Sequence, residues 1–133
     1  MIEYAVEYLR KITESKRDII GSDRADYCRS LIEKIVSKTY TANELYGFVT
    51  DEDGLYTFAE NSANTDEEAF WQAFLSVSMC IICTKYQDEG QKYLPEDIES
   101  IQAEKLDGFF TYLKKEGPEP KDCYAIFCDT VCL

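Results

Sequence analysis

Between Asp66 and about Tyr86 the chain carries Phe70, Trp71, Phe74, Leu75, Val77, Met79, Cys80, Ile81, Ile82 and Cys83. A helix built on this stretch is apolar around most of its circumference. It has no face to offer water, so other helices must pack around it. Its apolar core, Phe70 to Cys83, is too short and too interrupted to span a bilayer. The rest of the chain must therefore supply a surrounding shell of amphipathic elements.

Helical periodicity runs through almost all of that remainder. Ile2, Ala5, Val6, Leu9 and Ile12 share one face of a first helix. After a break near Gly21-Ser22-Asp23, Cys28, Leu31, Ile32, Ile35, Val36 and Tyr40 recur at three and four, with Arg24, Arg29, Lys34 and Lys38 outward. Thr41 and Glu44 have the spacing of a capping box, which predicts a third helix over Ala42 to Val49. Asp51-Glu52-Asp53-Gly54 reads as a turn, and Leu55 to Ala59 fits either an extended piece or a helical turn. Asn61 to Thr65 reads as a loop, with Thr65 and Glu68 a second capping box opening the central helix. Gly90 closes that region. Pro95 is placed to open the next helix, whose inner stripe is Ile98, Ile101, Leu106, Phe109, Phe110 and Leu113 and whose end is Gly117-Pro118. Tyr124, Phe127, Cys128, Val131 and Cys132 fit a terminal helix. The expectation is an all-α fold: one compact domain over residues 1–133, with about five to six helices packed around a central helix at about 66–86.

Charge is segregated along this chain. Residues 1–40 hold eight basic and seven acidic side chains, a net of +1, whereas 41–133 hold six basic and nineteen acidic, a net of −13. From Thr39 to Thr84 there is no lysine or arginine but there are eight carboxylates. On a small domain this predicts a strongly negative face, which attracts basic partners and steers their encounter. The same charge argues against nucleic acid as a ligand, because phosphate binding needs a basic patch.

Catalytic and metal motifs are sparse. The chain has no histidine, which removes the usual general base and the commonest metal ligand. There is no Ser/His/Asp or Cys/His set, no P-loop and no dinucleotide-binding glycine pattern. Cys80-x-x-Cys83 lies inside the buried helix rather than in a βαβ context, and Cys123, Cys128 and Cys132 complete no known zinc spacing. Counted as a calcium loop from Asp51, the fifth and sixth positions are Leu55 and Tyr56, where the loop needs an oxygen ligand and a glycine. Helix capping accounts for Asp66, Glu67, Glu68, Glu96 and Asp97 without further function. We therefore expect no enzyme activity, no cofactor and no metal. The first residues, Met1 to Glu7, carry acids where a signal peptide needs a basic region, so a cytoplasmic protein with no membrane association is expected, its cysteines reduced and buried.

The stretch Glu68-Ala69-Phe70-Trp71-Gln72-Ala73-Phe74-Leu75, the aliphatic and cysteine run to Cys83, then Tyr86, Gly90 and Gln91-Lys92-Tyr93-Leu94-Pro95-Glu96-Asp97-Ile98-Glu99 resemble the all-helical immunity protein family six of bacterial polymorphic toxin and contact-dependent inhibition systems. The first 40 residues and the cysteine-rich tail add little to that likeness. The resemblance implies a protein that binds a cognate toxin domain and blocks it, with no catalytic residues to carry over and no contact residues assigned. The charge supplies the contact candidates: Asp51, Glu52, Asp53, Glu60, Asp66, Glu67, Asp88, Glu89, Glu96 and Glu99. An acidic face suits a toxin with a basic cleft, as a nuclease has. The competing reading is a small acidic helical adaptor for a basic host protein. A third reading is an enzyme using cysteine chemistry or a Cys-bound metal, against which the lack of histidine argues.

Overall fold

A computed structural model describes all of residues 1–133. Nine α-helices form: α1 Ile2–Ser15, α2 Arg17–Ile20, α3 Ser22–Val36, α4 Ala42–Val49, α5 Leu55–Glu60, α6 Thr65–Glu89, α7 Glu96–Glu99, α8 Leu106–Glu116 and α9 Pro120–Ile126. The fold is all-α, and α6 is its axis, with α1, α4, α5, α7 and α9 laid against it. Trp71, Tyr86, Phe70, Phe74, Ile81 and Ile82 on α6 are almost fully buried. Each such side chain contributes about 1.5–3 kcal/mol by leaving water. No helix is long and apolar enough to cross a membrane.

There are more helices than the expected five to six, because α2 and α5 are additional and the helix expected from Pro95 is split; other predicted helices end early. The second predicted helix ends at Val36, short of Tyr40, whose ring instead packs edge-on against Phe48 at 5.1 Å. The helix expected from Pro95 through Lys115 is split. Pro95 stands just ahead of α7 as its cap, and that helix stops at Glu99. Ile101 then leaves the helical path to form an antiparallel bridge with Cys132. The Gln102 N–H donates to Val131 O (2.8 Å) and the Leu133 N–H to Ser100 O (2.9 Å). A 3-10 turn over Ala103–Lys105 leads back into α8. The physical reason is phase: Ile101 and Leu106 are five residues apart, so one straight helix cannot point both at the core. Both are buried because the helix breaks between them. The terminal segment departs from a plain helix too. After α9 it widens into a π turn over Phe127–Val131, which delivers Cys132 to the bridge.

Local chemistry sets the other boundaries. Thr41 and Glu44 form the expected capping box, with the Glu44 N–H donating to Thr41 Oγ1 (3.2 Å) and the Thr41 N–H to Glu44 Oε1 (3.0 Å). Leu55 to Ala59 is helical, within α5. The α6 cap falls one residue earlier than predicted. Asn64 Oδ1 accepts from the Glu67 N–H (2.9 Å), and Thr65 is already inside the helix. At the other end Gly90 takes φ +68°, a conformation favouring glycine, and the Gln91 N–H closes back onto Tyr86 O (3.2 Å).

Candidate partner-binding surface

One candidate carboxylate lies on the buried face of α6, a turn ahead of Phe70 and Trp71. Glu67 is the third residue of the helix and turns inward, with only 4% of its surface exposed. Its Oε1 accepts from Arg24 Nη1 (2.5 Å) and from Trp71 Nε1 (3.3 Å), and its Oε2 from the Ala63 N–H (3.0 Å). Arg24 in turn lies over the Phe58 ring, 4.8 Å from its centroid. Glu67 therefore joins α3 to α6 from inside, and no partner can reach it. Arg24, expected on the wet face of its helix, is the other half of this pair. Charges removed from water need such mutual satisfaction.

The other nine candidates are exposed but lie in different places. Asp51, Glu52 and Asp53 form the turn between α4 and α5, where Asp51 shares a small cleft with Tyr27, Lys34 and Phe48. Glu60 ends α5. Asp66 shares a cleft with Lys16, Glu119 and Lys121, so its charge has cations nearby. Asp88 and Glu89 end α6, and Glu89 Oε2 accepts from the Ala42 N–H at the start of α4 (2.8 Å). Glu96 and Glu99 flank Asp97 on α7.

The sequence position of Asp97 implies only a first-turn role in its helix, and the fold places it at the centre of a polar cluster. The Tyr46 hydroxyl of α4 and the Tyr56 hydroxyl of α5 both donate to Asp97 Oδ2, at 3.1 and 2.9 Å. Burial, followed by the nearby Asp97 carboxylate, holds both phenols above their ordinary pKa, so they remain protonated donors. Beside the cluster runs a groove of about 380 Å³ whose walls include Tyr56, Leu75, Met79, Tyr124 and Phe127, with Gln72 and Asp97 among its polar groups. No lysine or arginine lines it. Two consecutive helices, α4 and α5, here meet a residue 41 or more positions further along the chain, and only the abundance of tyrosine, ten in 133 residues, hints at such a surface.

The six cysteines are free thiols: four are buried, Cys132 is half-buried and Cys128 is exposed. Burial raises the Cys28, Cys80 and Cys83 thiols, and pushes Cys123 up to about 12. These buried thiols are poor nucleophiles, since the reactive species is the thiolate.

The family model described as Immunity protein Imm6 matches residues 2–116. The match takes in residues 2–40, which add little to the resemblance read from the sequence, and contains Tyr46, Tyr56 and Asp97. Tyr124, Phe127 and Cys132, the far wall of the groove, lie beyond it. No curated protein and no solved structure matches the chain.

Proposed function

The chain belongs to the Imm6 immunity protein family, and from that membership we propose that it neutralises a cognate bacterial toxin domain by binding it one to one. It acts by occlusion, without catalysis, in the cytoplasm of the cell that makes the toxin. The observation that carries this reading is the family match over residues 2–116. The charge supports a basic toxin, with a nuclease as the favoured class, because a cleft that holds phosphates presents cations. Asp51, Glu52, Asp53, Glu60, Asp66, Asp88, Glu89, Glu96 and Glu99 would raise its encounter rate by long-range attraction rather than as one contact patch.

The test is calorimetry and stopped-flow binding of the full chain to the purified C-terminal domain of the protein encoded directly upstream. Tight one-to-one binding, with an association rate that falls as salt is raised, is the expected result. Replacing Asp51, Glu52 and Asp53 by Asn, Gln and Asn should slow association at low salt. Tight binding insensitive to salt would retain the immunity role and remove the steering. Absence of binding would refute the role for that partner and favour an adaptor for another basic protein.

A further inference from the structure

We propose that Asp97 and the groove beside it receive a lysine or arginine side chain of the toxin domain, and that this contact anchors the complex. The inference rests on the immunity reading and adds the place and the chemistry of contact. Both tyrosine hydroxyls converge on one oxygen, Oδ2, and no hydrogen bond from within the chain reaches Oδ1. The carboxylate is thus oriented in advance with an acceptor left for an incoming donor, which lowers the ordering cost of binding. The groove wall is apolar and aromatic, from Leu75, Met79, Tyr124 and Phe127. That lining suits the aliphatic stem of a basic side chain whose charged head reaches a carboxylate at one end.

Charge complementarity selects this occupant. No cation lines the groove, and α4, α5 and the groove-facing part of α6 fall in the stretch without lysine or arginine. The larger cleft between α1 and α8 lacks this property. Its carboxylates Glu3, Glu7 and Glu14 share it with Arg10, Lys11 and Lys114.

Two variants test the site. Asp97→Asn removes the charge but keeps an oxygen acceptor for Tyr46 and Tyr56. Gln72→Lys sets a fixed cation in the groove at a half-exposed position. Dissociation of the toxin domain is measured by stopped flow for the wild-type chain and each variant, after circular dichroism has shown the wild-type fold. Each variant is expected to raise the dissociation rate at least about tenfold, as loss of a desolvated charged contact does. If the wild-type chain binds and both variants dissociate at the wild-type rate, the site is wrong while the immunity role stands. If the wild-type chain does not bind, the immunity reading fails and the site with it. Self-association that Gln72→Lys abolishes, with toxin dissociation unchanged, would assign the groove to a second copy of the chain and overturn the proposal.

Discussion

Replacing Arg24 by Met should destabilise the fold by leaving the enclosed Glu67 side chain without its cation. The Glu67 side chain is 6% exposed and that of Arg24 is 34% exposed. Breaking a fully buried pair costs about 3–5 kcal/mol, and access of water to the guanidinium reduces the expected loss to about 2–3 kcal/mol. For 133 residues the unfolding entropy is about 0.28 kcal/mol per degree, so the melting temperature should fall by about 7–11 °C. A second substitution separates electrostatics from packing. Glu67→Gln removes the charge and keeps one carbonyl, enough for either the Ala63 or the Trp71 donor but not both, since these bond different oxygens of Glu67. Alone it should cost about 1–2 kcal/mol, because it weakens the pair with Arg24. In the Arg24→Met background it should instead restore about 1–2 kcal/mol, because no uncompensated charge remains. Urea unfolding followed by the fluorescence of Trp71, the sole tryptophan, reads the whole cycle. A loss below about 1 kcal/mol for Arg24→Met, or the same sign for Glu67→Gln in both backgrounds, would refute this account of the pair.

Alkaline unfolding offers a second test, because the unfolded Cys28, Cys80 and Cys123 thiols ionise near 9.0 while their buried counterparts hold the proton. Their contribution to stability is whole below pH 9 and falls by about 1.4 kcal/mol per thiol per pH unit above it, until about pH 12 for Cys123; a urea midpoint equal at pH 8 and pH 10 would contradict this. Alkylation of the native chain should label Cys128 first and leave Cys28, Cys80 and Cys123 unmodified until urea is added, as peptide mass spectrometry can show. Gly54→Ala would drive a methyl into the Tyr27 hydroxyl, and Tyr27 is held edge-on to Phe58 at 5.2 Å. The expected cost is about 1–3 kcal/mol, and Tyr27→Phe in the same chain should recover part of it; equal melting temperatures for Gly54→Ala and wild type would show that the ring moves freely.

By itself the sequence determined the all-α class, the central position of the 66–86 stretch, the buried stripe from Ile98 to Leu113 and the capping box at Thr41. Those features are local or periodic: a helix apolar all round has one stable location, and the Thr41 and Glu44 side chains close their box within four residues of chain. Tertiary structure decided what depends on choices between near-equal local options. Asn64 and Thr65 are both good caps, and Asn64 is the one used; Glu67, one turn ahead of the buried Phe70 and Trp71, finds its partner in Arg24, a residue more than forty positions away. The stripe carried its own warning in the five-residue gap between Ile101 and Leu106, but the break needed Cys132 as its pairing partner from the far end of the chain. The meeting of Tyr46, Tyr56 and Asp97 left no mark in spacing, since α4, α5 and α7 are brought together only by packing on α6. Charge counting could register that the chain is acidic between Thr39 and Thr84, but it could not choose which carboxylate is oriented beside an apolar groove. That choice follows from how helices stack, and contacts between elements far apart in sequence have no local signature.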